Sequence, residues 1–284
     1  MPLVKTSEII KSAQEHNTAV FSVICDDFNT IYGCIRAAEE TQTPVLVQFL
    51  PEHDTINRAI NIEGFAGIAK KLASEVKVPI GLHLDHCYTY EEIRRAADAG
   101  YSSVMYDGST YPFEENVART RKIADEMHAR GIWVEGEIGH VGLAAENSDS
   151  DEDLYTQPEA AARFARESGV DMLAIAIGNA HGFYTGIPHL DIPRLDAIRE
   201  ATNGLPLVLH GGSGIPDDQL EVAFSRGINK FNYGTNYLAA YYEAAKKFIH
   251  ETENQEHPNI LDLFKPAQAA LVEHMKDRYK LCRF

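Results

Sequence analysis

Four stretches of this chain repeat one architectural phrase. "AADAGYSSVMYD", "ARGIWVEGEIG", "RESGVDMLAIAIG" and "FSRGINKFNYG" each run from an amphipathic segment through a glycine into a short apolar run. The glycine suits the position just past a helix, where a left-handed backbone ends it. The runs that follow are of strand length and most are rich in Val or Ile. What repeats is the order of elements, with little repetition of residues. Along the whole chain such apolar runs number eight, at 19–25, 44–49, 79–84, 102–107, 132–138, 171–177, 206–210 and 228–234. Eight strands with helical crossovers in a chain of 284 residues predict an α/β fold of the (β/α)8 TIM-barrel type. One domain is expected over residues 1–284, with the tail "DLFKPAQAALVEHMKDRYKLCRF" as a C-terminal helical extension. An open doubly wound sheet is the alternative, but it usually places a glycine-rich phosphate loop after its first strand. Here "DDFNTIYG" follows that strand and holds no such loop.

Charge narrows the function. The formal net charge of −16 argues against a nucleic-acid or anionic-membrane surface. A phosphorylated substrate would therefore need a local device to attract it, such as a metal, a lysine or a nest of backbone N–H groups. No apolar run approaches the ~20 residues of a membrane span, and the N-terminus lacks the continuous hydrophobic region of a secretory signal. The four cysteines, Cys25, Cys34, Cys87 and Cys282, form no C-x-x-C pair, so reduced thiols and a cytoplasmic location are expected.

In a barrel of this kind chemistry collects at the C-terminal strand ends. The third run ends in His83, Asp85 and His86, and the fourth in Asp107. The fifth carries Glu135 and Glu137, the sixth leads to His181, the seventh to His210, and the eighth holds Asn232 followed by Thr235. Strict alternation would put His83 and Asp85 on one strand face and His86 on the other. A single histidine at a strand end is ordinarily a hydrogen-bonded structural group, and the chain's remaining histidines are left as structural or surface residues. Histidines on three strands aimed at one rim are harder to dismiss, because three neutral imidazoles with an open position form a catalytic Zn²⁺ set. Glu135 and Glu137 share a face, either as an interior ion pair or as carboxylates that support or ligate a metal. The small residues of "HGGSG" allow close backbone approach and an anion nest. Together with "NYGT" after the next strand they mark the usual phosphate position of the barrel.

Taken together, "HLDHC", "SVMYDGS", "EGEIG", "AIGNAHGFY", "LVLHGGSGIP" and "KFNYGT" resemble the class II, metal-dependent fructose- or tagatose-bisphosphate aldolases, over about residues 5 to 280. The resemblance implies one catalytic Zn²⁺ on His86, His181 and His210. It implies Asp85 as the acid–base group at the cleaved bond, His83 as its support, and Asp107 and Glu137 as positions for a second or displaced metal. Gly182, Gly211, Ser213 and Thr235 match the phosphate cradle of the ketone half, and Asn232 the donor to the enediolate. Backbone carbonyls near Gly182 and Gly211 match a site for a monovalent cation. The implied substrate is a small sugar phosphate, and a homodimer or homotetramer is expected.

The departures from the family pattern are local. Ile24 in "SVICDD" stands where an asparagine is usual, and Leu50 in "FLPEHD" where Ser or Thr is usual. Gly234 replaces an acid often found after the eighth strand. The loop "HVGLAAENSDSDEDLYTQPE" (140–159), expected to be mobile, has Ala144 and Ala145 where "GGxED" would carry a catalytic glutamate; Glu146 follows and is the candidate for that role. The expected activity is reversible cleavage of a ketose 1-phosphate or bisphosphate to dihydroxyacetone phosphate and an aldehyde. The alternatives are a metal-dependent sugar-phosphate epimerase or isomerase, which also passes through an enediolate, and a non-catalytic sugar-phosphate binder.

Overall fold

All eight apolar runs form strands: β1 (Val20–Ile24), β2 (Val45–Phe49), β3 (Ile80–Cys87), β4 (Ser103–Tyr106), β5 (Trp133–Ile138), β6 (Met172–Ile175), β7 (Leu207–Leu209) and β8 (Ile228–Tyr233). The computed structural model describes residues 3–54, 60–139, 155–184 and 186–284. Every strand is parallel to its neighbours, in sequence order, and β8 pairs with β1 to close the barrel. Closure removes both sheet edges, and the crossovers cover the outside with helices.

The crossovers are α2 (Phe28–Thr41), α3 (Ile62–Ala73), α4 (Tyr90–Ala99), α5 (Phe113–Ala129), α6 (Pro158–Ser168), α7 (Ile192–Ala201) and α8 (Asp217–Ser225). Two of the predicted glycine stops, Gly100 after α4 and Gly169 after α6, have the left-handed backbone of a helix C-cap. After β8 come α9 (Thr235–Thr252), a short 3-10 turn (Ile260–Leu263) and α10 (Phe264–Tyr279), which is the expected C-terminal extension. α1 (Thr6–Glu15) precedes the barrel and closes its floor. Its Ile9 and Ile10 pack with Val20, Leu46, Met172, Ala174 and Val208 from the strands, each buried isoleucine contributing ~1.5–3 kcal/mol.

The two-residue strand period sets the interior in layers. Above the apolar floor, Ser22, Gln48, His83, Glu135, His210, Lys230 and Asn232 form a buried polar layer. Such groups cost free energy unless they satisfy one another, and the hydrogen bonds and ion pairs described next link most of their polar atoms. Ile24, Leu50 and Gly234 come one period further up, at the pocket on the C-terminal rim.

Candidate active site

β3 carries "HLDHC" to the rim, and strand pairing extends further than the apolar run, as far as Cys87. Strict alternation places His86 away from His83 and Asp85, and here the structure corrects the sequence reading. His86 has φ +39, and the pairing with β4 slips between Leu84 and Cys87. This irregularity brings the imidazole to the other rim histidines, with ring centroids 4.7 Å from His210 and 5.0 Å from His181. His181 and His210 are 5.7 Å apart. One ring nitrogen from each of the three lies within 4.8 Å of the others. A left-handed residue other than glycine costs on the order of 1–3 kcal/mol, so the conformation needs support. Asp107, just past β4, provides it through Oδ2, 2.9 Å from His86 Nδ1.

The remaining nitrogens test whether these residues suit a metal. His86 Nδ1 is committed to Asp107 and His210 Nε2 to Glu135 Oε1 at 2.8 Å. His86 Nε2 and His210 Nδ1 are buried and make no hydrogen bond. Imidazoles fixed by a carboxylate on one nitrogen, with the other left for a cation, are the usual arrangement around zinc. Glu137 Oε2 lies 3.4 Å from His210 Nδ1, a contact without hydrogen-bond geometry, and a desolvated nitrogen that makes no hydrogen bond is costly unless a cation takes it. The donor set fits a divalent metal. His86, Asp107 and Glu137 form a second group with metal-ligand spacing, sharing His86 with the first.

Charge in the site is strongly organised. Burial opposes protonation of His86, but Asp85, the hydrogen bond to Asp107 and the nearby Glu137 raise its pKa to about 10. Burial would keep Asp85 neutral, yet the positive field of His86, the His83 contact and Lys230 hold it well below the ordinary carboxylate range. Glu135 is likewise buried and likewise held ionised, at about 2, chiefly by Lys230 and His210. Burial and the Lys230 charge lower His83, which stays a neutral ring with Nδ1 2.8 Å from Ser103 Oγ. Ser103 in turn bonds Thr6 Oγ1 at 2.7 Å, so α1 steadies the same layer.

Asp85 is 1% exposed and held from two sides. Gln48 Nε2 donates to Oδ2 at 2.9 Å, and Asn232 Nδ2 lies 3.1 Å from both carboxylate oxygens. Each amide is itself oriented. Ser22 Oγ donates to Gln48 Oε1, and Lys230 Nζ donates to Asn232 Oδ1 at 2.6 Å. Lys230 also pairs with Glu135 Oε2 at 2.9 Å and is fully buried. The interior ion-pair reading of Glu135 is therefore correct, and the same residue positions His210.

The turn after β7 explains how His181 and His210 meet. Gly211 has φ +62, and a Cβ there would collide with the carbonyl oxygen of Ala180. Without a side chain, the β7 turn can lie directly on the loop after β6. Two residues pin that contact. Asn179 Nδ2 donates to the carbonyl of His210 at 3.1 Å, and the Tyr184 hydroxyl donates to that of Gly211 at 2.9 Å. The resulting pocket is lined by Asp85, His86, His181, Gly182, Gly211, Ser213, Asn232 and Thr235, together with Ile24, Leu50 and Gly234. Ser213 Oγ accepts from the Asn236 backbone N–H at 3.2 Å, tying the glycine turn to the first turn of α9. The positive end of that helix faces the pocket, a setting that favours an anion.

Comparison with known proteins agrees with this geometry. The profile of a family described as fructose-bisphosphate aldolase class-II matches residues 4–284. The chain belongs to the class II fructose-bisphosphate aldolase family. Among solved structures it is similar to the YdjI aldolase of Escherichia coli K12, at 32% identity and TM-score 0.86, covering 99% of this chain and 97% of that one. A putative fructose-1,6-bisphosphate aldolase from Coccidioides immitis is 28% identical with TM-score 0.84, over 98% and 96% of the two chains. The Campylobacter jejuni fructose-bisphosphate aldolase, at 20% identity and TM-score 0.85 over 99% and 95%, shares the fold.

The structure brings the sequence-predicted residues together: His86, His181, Asp85, Asn232 and the four cradle positions line one pocket, and His210 lies buried against the other two histidines. Glu146 and the greater part of its loop lie outside the described residues. Gln48, Ser22, Asn179 and Tyr184 were not anticipated. A signal was present for the first two: each is a polar residue at an alternate position within an apolar run.

Proposed function

We propose that this class II aldolase is zinc-dependent and reversibly cleaves a ketose 1-phosphate or ketose bisphosphate to dihydroxyacetone phosphate and an aldehyde. The observation that carries the reading is the buried, unbonded His86 Nε2 and His210 Nδ1 beside an ionised Asp85. His86, His181 and His210 would hold the metal, which when bound would supply Lewis-acid stabilisation of the charge that develops on the ketone half. Asp85 removes the proton from the hydroxyl on the carbon that becomes the aldehyde, as the carbon–carbon bond beside it breaks. The bond's electron pair passes to the ketone half, giving an enediolate. Asn232, its amide turned by Lys230, donates to that charge. Gly182, Gly211, Ser213 and Thr235 hold the phosphate of the ketone half, which fixes the reacting carbons relative to Asp85. Asp107 and Glu137, with His86, offer a second metal position, and the carbonyls near Gly182 and Gly211 a monovalent-cation site. Glu146 moves the proton at the ketone-derived carbon.

No Schiff base is formed. Lys230 is buried and its Nζ is held by Glu135 and Asn232, away from a substrate carbonyl, so borohydride with substrate should leave the enzyme active. No helix among the described residues is long and apolar enough to cross a membrane. Four free thiols fit a reducing cytoplasm. We take the assembly to be a homodimer or homotetramer, which light scattering would report. The direct test of the metal assignment is His86→Ala, His181→Ala and His210→Ala, with metal content read by mass spectrometry. Each should lose bound zinc and nearly all turnover. Full zinc content and activity in any one of them would remove that residue from the ligand set.

A further inference from the structure

The pocket is built unequally. One end is the polar cradle of Gly211, Ser213 and Thr235 at the start of α9. The wall that adjoins it, running along the ends of β1 and β2 toward Asp85 on β3, consists of the alkyl side chains of Ile24 and Leu50. The placement of Ile24 depends on its neighbour: a Cβ on Gly234 would lie 2.5 Å from Ile24 Cδ1 and 3.1 Å from its Cβ. The isoleucine therefore fills space that Gly234 leaves open, and the two positions form one unit. Among the described residues the pocket lining carries no lysine or arginine. Just outside, on the same two strand ends, Asp26 is paired with His53, and Glu52 is next to His53 in sequence. The Asp26 hydrogen bond, together with the negative charge of Asp26, Glu52 and Asp85, raises the His53 pKa. That imidazole is already committed to Asp26, and among the described residues the carboxylates Asp26, Glu52 and Asp85 surround this side of the pocket.

A phosphate dianion against this wall would give up its hydration for two branched alkyl groups and meet a negative field. We propose that the enzyme takes ketose 1-phosphates whose far end is unphosphorylated, with Ile24 and Leu50 setting that choice. The proposal rests on the aldolase reading above and narrows it. The aldehyde half it selects is neutral, and its hydroxyl-bearing carbon still reaches Asp85.

The test uses the zinc-loaded full chain in the condensation direction. Dihydroxyacetone phosphate is the fixed partner, offered with glyceraldehyde or glyceraldehyde 3-phosphate and with erythrose or erythrose 4-phosphate. Each pair differs only by the phosphate. In parallel, solvent deuterium exchange into dihydroxyacetone phosphate alone reports enediolate formation. The proposal expects exchange, and kcat/KM at least about tenfold higher for the unphosphorylated member of a pair. Leu50→Lys should narrow that ratio by placing a cation on the wall. Exchange without a preference for either unphosphorylated aldehyde overturns the proposal and leaves the aldolase reading intact. An unchanged ratio in Leu50→Lys overturns the role given to Leu50. Absence of both exchange and condensation overturns the proposal together with the reading beneath it.

Discussion

Asp85 is held by two amides whose own orientation is fixed from behind, by Ser22 through Gln48 and by Lys230 through Asn232. Asp85→Asn keeps the shape and the metal ligands but removes the base, so kcat should fall by about 10²–10⁴ with zinc content unchanged. Gln48→Leu leaves the carboxylate in place and removes one donor. The loss should appear in kcat, with KM for the phosphorylated substrate little altered, because the phosphate cradle is elsewhere. A rise in KM alone would point to a general loosening of the pocket. His86 leads to a different experiment. Its pKa of about 10 in the metal-free site means the ring is protonated at neutral pH. Metal and proton compete for that imidazole, so zinc uptake by metal-free protein should release protons, and binding should weaken as pH falls. Calorimetry in buffers of different ionisation enthalpy would measure the release; uptake without protons would contradict the stated environment of His86.

At the level of elements, the strands and their polar ends were legible because glycine stops and apolar runs follow local rules. The orientation of His86 was not. It depends on a slip in the β3–β4 pairing that involves a neighbouring strand, and the alternation within "HLDHC" points the other way. Gln48 and Ser22 were visible as polar residues in apolar runs, but their partner Asp85 lies on another strand. α1 has Lys5 at its N-cap, with no side-chain capping bond, so the usual helix-start signal is missing. The β7 turn gives the clearest element-scale prediction. Gly211→Ala forces a left-handed alanine and drives a methyl group into the Ala180 carbonyl. A loss of at least ~1–3 kcal/mol is expected, read as a lower denaturation midpoint, with reduced zinc content because His181 and His210 separate. The loop after β5 belongs to the same scale. Glu146→Gln should lower kcat by about 10²–10⁴ without loss of metal; a silent substitution would assign proton transfer to another acid.

For the whole molecule, the barrel separates the two demands made of its interior. The floor under α1 is apolar and stabilises the fold, while the layer above it holds seven polar side chains that serve the rim. The net charge of −16 opposes anions in general, and the positive end of α9, tied to the glycine turn through Ser213, is the local feature that offsets it. The central claim is that cleavage of a ketose phosphate here requires a metal on the rim histidines. Its most direct measurement follows a ketose 1-phosphate by NMR, first with metal-stripped protein and then with zinc restored. The account predicts no reaction without metal, and with zinc the appearance of dihydroxyacetone phosphate and one aldehyde in equal amounts. Undiminished cleavage by protein shown to be free of metal would contradict it, as would conversion to a single rearranged sugar.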